Sequence, residues 1–493
     1  MTLGVTDSLS YWVPEFTLVA GVLLLLLLEL LVRRKDLFGE VALLAVAASV
    51  LAAAARGGGP YGSLFNGMVA LDSFAVFFKI VLGLAAFGAI WMSIGARELD
   101  GQHPGEYYVV LLSCTLGMYT MAAATNLLVA YLALEFVSQT SYILTGFLKG
   151  SRRSSEAALK YLIYGGVASG VMVYGMTLLY GLTGSLDYSA LGAGLAGLDS
   201  AAAPAAFVAI AMVLVGFGYK IAMVPFHMWA PDVYEGAPLP VAAYLAVGSK
   251  AAGMAMLVRF FYPGISTFGG EELWNSLAGI DWPDLVAVAA MVTMTVGNLA
   301  ALRQDNVKRL LAYSSIAHAG YMLMGVVALT NTGLMAVLFY VVVYYLMNLG
   351  AFAVLLAVVN RSGREDIAGL RGLAWRGGAV PAAAMAIFLL SLAGIPPLAG
   401  FIGKFYLFAA VIERHMWTLA VVAAANSVVA LYYYARILRA MYLEAPDEGA
   451  PPVELGAHQS VLVGALVAGT LVFGVYWAPL VELAQRSIFF ATG

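Results

Sequence analysis

The stretch VLVGFGYKIAMVPFHMWAPDVY, from Val213 to Tyr234, begins as an apolar membrane helix but contains Lys220 and, five residues later, Pro225. An ammonium group at the centre of a membrane helix costs about 2.5–3.5 kcal/mol on insertion scales, so such a residue usually faces a protein interior and marks a pathway. A proline interrupts the backbone hydrogen bonds of a helix. This stretch therefore predicts a broken membrane helix that carries a functional amine.

The composition places the whole chain in a membrane. Of its 493 residues, 62% are apolar and 11% are charged, and the mean hydropathy is +0.90. Continuous apolar runs predict an all-α integral membrane protein. The net charge of −3 excludes a basic face for nucleic acid, and a single cysteine, Cys114, excludes an internal disulfide or a cysteine-ligated iron–sulfur cluster. We find no cofactor-binding motif and predict no metal site, which leaves the chemistry to side chains and water.

Fourteen apolar runs are candidate membrane helices. Threaded alternately from an outer N-terminus, they put sixteen lysines and arginines in inner loops and four in outer segments, which predicts a cell (inner) membrane protein with both termini on the outer, periplasmic side. The inner set includes Arg33, Arg34 and Lys35, and the outer set is Arg56, Arg259, Arg414 and Arg486. The runs cover residues 13–32, 38–56, 73–94, 106–123, 126–148, 156–183, 205–226, 239–262, 284–302, 309–330, 333–360, 379–411, 416–441 and 458–482.

The five remaining basic residues all lie within these runs, and all are lysines. Lysine, unlike arginine, can lose its proton when it is desolvated, so lysines suit a titrating role. We interpret the three deepest as proton-transfer residues. For Lys79 we favour snorkelling or pairing near the surface. Lys160 lies one helical turn after Glu156, which favours a structural ion pair and a relay role equally. The three deep lysines are Lys220, Lys250 and Lys404.

Two further titratable residues lie deep in candidate helices. Glu135 is near the middle of its run, where a lysine within about 4–6 Å would hold it ionised, and Lys220 is the natural partner. His318 is the one histidine well inside a run, and we favour a proton-relay role over simple packing. Ser138 and Ser315 could line water near these groups.

The spacing of these residues suggests duplication. Glu135 and His318 are 183 residues apart, and Lys220 and Lys404 are 184 apart. In the alternating topology the helix of Glu135 runs inward and that of His318 runs outward. The chain is therefore predicted to contain inverted repeats of the kind that meet at broken helices in transporters.

Three segments carry a family resemblance. KIAMVPFHMWAPDVYEGAPLPVAAYLAVGSKAAG from Lys220, LRQDNVKRLLAYSSIAHAGYML from Leu302 and SLAGIPPLAGFIGKF from Ser391 resemble the N-subunit family of NADH–quinone oxidoreductase, respiratory complex I. WAPDVYEGAP, from Trp229, distinguishes this family from the sister L and M subunits. The resemblance covers nearly the whole chain. It implies about fourteen transmembrane helices, with two inverted five-helix repeats and broken helices 7 and 12.

The resemblance also implies the function, which is proton translocation along buried residues coupled to quinone reduction in partner subunits. Glu135, Lys220, Lys250, His318 and Lys404 match the proton path of the family, with Lys160 in second rank. No cofactor is expected in this chain, whereas NADH, FMN, iron–sulfur clusters and quinone are expected in partner subunits. The expected partners are M-type and K-type membrane subunits, lipid and, through the complex, the quinone pool.

Several alternatives stay open. A cation/proton antiporter subunit or a membrane-bound hydrogenase subunit would share the lysines and the fold, and a purely structural scaffold would tolerate methionine at the lysines. A solitary solute carrier fits least well. The predicted organisation is an N-terminal three-helix segment at 1–105, repeats at 106–262 and 284–441, and a C-terminal helix at 442–493.

Overall fold

The computed structural model describes residues 2–32, 37–270, 272–277 and 280–490. Arg33, Arg34 and Lys35, which contribute to the predicted inner charge, lie outside the described residues. The described ranges are mostly helical, with two short β-hairpins in connecting segments.

Fourteen helices correspond to the fourteen predicted spans within these ranges. Twelve are long and apolar enough to cross a membrane unaided. The other two are α4, which contains three tyrosines and two threonines, and α12, which is broken into halves of 15 residues each. The helices are α1 Val13–Leu31, α2 Leu37–Ala54, α3 Ser73–Ile94, α4 Pro104–Ala123, α5 Leu127–Thr145, α6 Arg152–Thr183, α7a Ala203–Ile221, α7b Trp229–Gly236, α8 Leu239–Gly264, α9 Trp282–Ala301, α10 Val307–Val327, α11 Asn331–Ser362, α12a Ala379–Ala393, α12b Ala399–Glu413, α13 Trp417–Leu443 and α14 Ala457–Val475.

Short elements connect these helices. The first hairpin lies between α2 and α3, and the second lies between α8 and α9. The strands are β1 Gly62–Leu64, β2 Val69–Leu71, β3 Ser266–Gly270 and β4 Leu273–Ser276, and the short helices are Val5–Ser8, Tyr188–Ala196 and Ala478–Arg486, with 3-10 turns at Leu9–Tyr11, Arg97–Leu99 and Ile367–Leu370.

Both ends of the described chain lie at one face of the helix bundle. Thr2 forms a backbone bridge to Ser63 in the loop before α3, and the ring of Phe490 packs 4.9 Å from that of Phe74 at the start of α3. We call this the terminal face and the other the opposite face. In the apolar stretch of each helix, 100%, 94% and 89% of the residues of α8, α10 and α11 are buried, against 28% for α1 and 22% for α14. The helices α8, α10 and α11 therefore form the core.

Two five-helix repeats, α4–α8 and α9–α13, share a backbone signature. Asn126 caps α5 and bridges Asp187 beyond α6, and Asn306 caps α10 and bridges Asp366 beyond α11. α6 and α11 each have 32 residues and end at a left-handed glycine. The first bridge lies at the terminal face and the second at the opposite face because five crossings separate them. The repeats are therefore inverted, as predicted.

The breaks in α7 and α12 have the same backbone geometry, but their separation differs from the predicted 184-residue spacing. α7a ends at left-handed Ala222 and α12a at left-handed Gly394. In both, the next amide reaches back five residues, from Met223 N to Gly218 O at 2.7 Å and from Ile395 N to Leu390 O at 3.0 Å, which closes the helix end as a Schellman motif does.

These breaks are 172 residues apart, whereas the capping asparagines are 180 apart. Lys220 precedes its break, while Lys404 follows its own by ten residues. The 184-residue spacing is therefore not a structural equivalence. The two repeats divide their broken helices differently, with 19 residues in α7a and 15 in α12a, so their lysines approach the breaks from opposite sides.

A buried ion pair fixes the terminal end of the core. The guanidinium of Arg259, in α8, donates two hydrogen bonds of 2.8 Å to Asp72 and a third of 2.9 Å to Ala122 O. Asp72 also caps α3 by accepting from Ala75 N. Arg259 was predicted to lie in an outer aqueous segment, but its side chain is fully buried. The prediction was wrong because a position near the end of its run, residues 239–262, could not show that the side chain turns inward to Asp72 and Ala122.

We expect Arg259→Met to destabilise the protein strongly, because it removes the charge that faces the buried Asp72 carboxylate. Breaking a buried pair on one side typically costs about 3–5 kcal/mol. The measurement is the amount of assembled complex in membranes and its thermal midpoint. Arg486→Met is the control, since Arg486 lies at the surface opposite the exposed Glu482. Equal stability of both variants would contradict the assigned role of the pair.

Candidate functional site

Lys220 lies at the break in α7, fully buried. Its Nζ donates to the hydroxyl of Ser138 on α5 at 3.3 Å. The freed amide of Val224 donates to Thr293 Oγ1 on α9 at 3.0 Å, so the second repeat satisfies the break of the first. The sequence predicted both the burial of the amine and the break.

Glu135 and Lys220 make no direct ion pair. Among the described residues, no lysine or arginine nitrogen lies within 4.0 Å of its carboxylate. Glu135 is half-buried at the edge of the exposed face of α5, next to exposed Phe136. Ser138, three residues further along the same helix, takes the contact with the amine instead. A span-centred position predicted depth in the membrane but could not predict which way the side chain points.

Lys250 connects the two repeats. It follows a π-helical turn, Leu245–Ser249, and π-bulges inside α-helices often occur at functional sites. Its Nζ donates to Ser315 Oγ on α10 at 2.7 Å. The stem of Lys220 lies close to Gly253 one turn beyond Lys250, where a Cβ would come within 3.2 Å of Lys220 Cγ. The stem of Lys220 therefore meets α8 one turn from Lys250.

His318 is held between two tyrosines on different helices. Its Nδ1 is 2.7 Å from Tyr340 Oη on α11, and its Nε2 is 3.2 Å from Tyr434 Oη on α13. Ser315, the partner of Lys250, is one turn earlier on α10. The imidazole is thus buried but hydrogen-bonded through both nitrogens, an arrangement in which a proton can enter by one nitrogen and leave by the other.

Lys404 lies against the break in α12. Its Nζ donates to Ala393 O at 3.0 Å, a carbonyl at the end of α12a, and a Cβ on Gly394 would lie within 2.9 Å of the lysine side chain. The ammonium also lies 4.7 Å from the ring centre of Tyr321, and this ring is 5.8 Å from His318. The glycine gives the amine access to the break.

The four groups form one series through the core. The stem of Lys220, on α7a, packs against α8 one turn from Lys250. Lys250 contacts Ser315, and His318 and Tyr321 follow on successive turns of α10 toward Lys404. Nearby buried polar atoms have no protein hydrogen-bond partner in the described part of the chain, and groups of this kind ordinarily bind internal water. They are the Tyr234 and Tyr344 hydroxyls, Ser249 Oγ and the Asn348 amide.

Lys160 stands apart from this series. Its Nζ is 2.8 Å from both Glu156 and Asp232, and its side chain is 40% exposed. Asp232 also pairs with Arg309, which reaches Glu235. The predicted Glu156 pair is present, within a larger ion-pair cluster at the opposite face.

Three buried charged residues were either not singled out from the sequence or were predicted to lie elsewhere. Lys79 is paired as favoured, but with Glu15 at 2.7 Å and fully buried rather than snorkelling. Lys308, assigned to an inner loop, is buried and donates to Ala237 O at 2.8 Å and to Glu365 at 3.0 Å. Nearby, Glu98 accepts from Leu239 N at 2.6 Å, and burial raises the pKa of its carboxyl against the opposing effect of Lys308. Only long-range contacts reveal these partners.

No cluster of three or more histidine, cysteine, aspartate or glutamate side chains suited to a metal ion occurs within the described ranges. The thiol of Cys114 is buried beside Ser141.

Comparison with known proteins places the chain in a family. The family model described as NADH:quinone oxidoreductase/Mrp antiporter, TM, matches residues 124–430. A protein named NADH-quinone oxidoreductase subunit N from Anaeromyxobacter sp. (strain Fw109-5) is 48% identical, covering 98% of this chain and 96% of its own. One named subunit N 2 from Sorangium cellulosum (strain So ce56) is 46% identical, covering 99% and 98%.

Solved structures agree. A chain of respiratory complex I from Thermus thermophilus with bound aureothin has a TM-score of 0.80 at 32% identity, covering 96% of this chain and 99% of that one. Chains of an archaeal membrane-bound sulfane sulfur reductase and of the Mrp complex from Dietzia sp. DQ12-45-1b have TM-scores of 0.85 and 0.83 at 22% identity, each covering 97% of this chain and 96% of its own, and share the fold. The chain therefore belongs to the NADH-quinone oxidoreductase subunit N family, the antiporter-like, proton-translocating membrane subunits of respiratory complex I.

Proposed function

We propose that this chain carries protons along Lys220, Lys250, His318 and Lys404, driven by quinone reduction in partner subunits. One observation carries the proposal. Within the described ranges, no aspartate or glutamate oxygen lies within 4.0 Å of Nζ in any of the three lysines. Their contacts are a serine hydroxyl, another serine hydroxyl and a backbone carbonyl. A buried amine without a neighbouring carboxylate is free to gain and lose a proton, whereas a structural lysine is normally paired.

Glu135 supplies the control in this scheme. When its ionised carboxylate moves close to Lys220, it stabilises the protonated amine, and when the two are apart the ammonium is disfavoured by burial. The structure has them apart. Lys220 then passes its proton toward Lys250, and Ser315 and His318 carry it toward Lys404. Because Glu135 lies at the edge of an exposed face, a neighbouring subunit can reach it and change its charge or position.

The proposal extends to the assembly. The chain acts as a translocase subunit with no redox site of its own, and NADH, FMN, the iron–sulfur clusters and quinone belong to partner subunits. M-type and K-type membrane subunits are its neighbours. The terminal face is the outer, periplasmic side of the cell (inner) membrane, and the segments are 1–105, 106–262, 284–441 and 442–493. Lys160 serves as a second-rank carrier at the opposite face, where its ion-pair cluster meets water.

A cation/proton antiporter remains the second candidate, because the Mrp complex shares the fold. The two functions predict different partner subunits. Co-purification of the tagged chain from native membranes, with identification of its partners, separates them: flavin- and iron–sulfur-containing subunits support the proposal, and antiporter subunits alone overturn it.

We expect Lys220→Ala to leave assembly intact and to lower coupled NADH–quinone turnover about a hundredfold, because the loss of a positioned proton-transfer group costs at least about that factor. The measurements are turnover and proton movement in proteoliposomes that contain the assembled complex. Lys149→Ala is the control, since Lys149 is an exposed loop residue. Normal pumping by fully assembled Lys220→Ala enzyme would refute the proposed role.

Glu135→Ala should also assemble and lose most coupled activity, because no carboxylate remains to reset Lys220. Glu106→Ala, at the exposed start of α4, is the comparison that removes a carboxylate from the neighbouring helix. Equal rates for the two variants would argue against a switching role for Glu135.

Ser315→Ala tests the link between the repeats. The change removes the hydroxyl that accepts from Lys250, so we expect coupled turnover to fall about tenfold with little change in assembly. Ser113→Ala on α4, whose hydroxyl donates to its own helix at Val109 O, is the matched control. Unaltered turnover in Ser315→Ala would show that Lys250 does not need this contact.

A further inference from the structure

A second kind of buried amine lies outside both repeats. Lys79 on α3 and Glu15 on α1 form an ion pair of 2.7 Å, with 2% and 1% of their side chains exposed. Lys79 is six residues into α3, about 9 Å along the helix from its start at the terminal face. The pair is thus one to two helical turns below that face, in the N-terminal three-helix segment.

This pair differs from the other buried ion pair at the same end of the bundle. Asp72 and Arg259 form a bidentate contact with further hydrogen bonds, and arginine keeps its proton in proteins. The Glu15–Lys79 pair instead consists of a carboxyl group and an amine, two kinds of group that exchange protons in proteins. Neither carboxylate oxygen of Glu15 has a partner that meets hydrogen-bond geometry in the described part of the chain. A staple between helices would be expected to satisfy these atoms.

Polar groups on α4 lie between this pair and Lys220. Ser138, the partner of Lys220, is one turn from Ser141, and Ser141 Oγ is 3.7 Å from the Cys114 thiol. The next residue on α4, Thr115, is hydrogen-bonded to Tyr244 on α8 at 2.7 Å.

The same face of α4 then reaches the pair. The Tyr119 hydroxyl, one turn beyond Thr115, lies 3.4 Å from Ser49 Oγ, and Ser49 donates to Pro14 O beside Glu15 at 2.7 Å. Gly83, one turn beyond Lys79, makes room for Tyr119, because a Cβ there would lie 2.6 Å from the tyrosine hydroxyl. The hydroxyl is therefore held between α2, α3 and α4.

We propose that Glu15 and Lys79 form a proton-release site at the terminal face, supplied from Lys220 through the hydroxyl groups of α4. The inference rests on the proposed proton-carrying function and adds a branch that leaves the series before the second repeat. Tyr119 is a positioning residue in it.

Each cycle of the site conserves protons and charge. An arriving proton binds the Glu15 carboxylate and gives a neutral acid beside the Lys79 ammonium. The ammonium, now without its counter-charge, releases one proton to water at the terminal face. The acid then passes its proton to the neutral amine, which restores the carboxylate and the ammonium. One proton enters and one leaves.

The test uses the assembled complex in proteoliposomes, with NADH–quinone turnover and protons moved per NADH as the measurements. Lys79→Arg keeps the charge and the pair but cannot release a proton, so we expect turnover to fall about tenfold. The double variant Glu15→Leu with Lys79→Met removes both charges, a change that structure alone often tolerates. It should be equally impaired. Tyr119→Phe should be slowed, whereas Thr120→Val, which alters a hydroxyl bonded only within α4, should not.

The outcomes are decisive in either direction. Wild-type turnover and proton yield in both Lys79→Arg and the double variant would make the pair a structural staple and overturn the inference. If neither assembles, normal activity in Tyr119→Phe overturns it and slowed activity supports it. Impaired Lys220→Ala with normal Lys79→Arg refutes this inference alone, whereas normal Lys220→Ala refutes the proposed function beneath it.

Discussion

A membrane interior offers no water to a charged side chain or an interrupted helix, so each must find its partner within the protein. In α12 the two problems solve each other, because the break exposes the carbonyl of Ala393, which accepts a hydrogen bond from Lys404. In α7 they are solved separately. The amide of Val224 at the break donates to Thr293 in the other repeat, and Lys220 donates to Ser138.

The inverted repeats follow from the same constraint. Broken helices require neighbouring protein to satisfy the freed backbone groups, and the second repeat does this for the break of the first. Lys250 on α8 reaches Ser315 on α10, and this contact joins the halves at the centre of the bundle. A row of titratable groups is thereby assembled along the most deeply buried helices, where desolvation keeps each amine responsive to small changes in nearby charge.

Buried charge serves two purposes in this fold. Asp72 and Arg259 are fixed charges with their hydrogen bonds filled, and they tie α3, α4 and α8 together at the terminal face. The lysines of the central series have hydroxyl or carbonyl partners instead of acids. Glu15 and Lys79 combine features of both, because they are paired like Asp72 and Arg259 but include a lysine like the central series.

The sequence by itself determined the class of protein, the fourteen helices, both breaks and the depth of Lys220, Lys250, His318 and Lys404, because hydropathy, proline and the cost of buried charge act locally along the chain. The tertiary structure alone decided the partners. Glu135 lies at the edge of the exposed face of α5, and Arg259 is buried. Lys220 and Lys250 have serine partners 82 and 65 residues away. The broken helices are of unequal length, so the 184-residue spacing does not relate equivalent positions. Which side chains meet depends on how distant helices rotate and pack, and no local pattern encodes that.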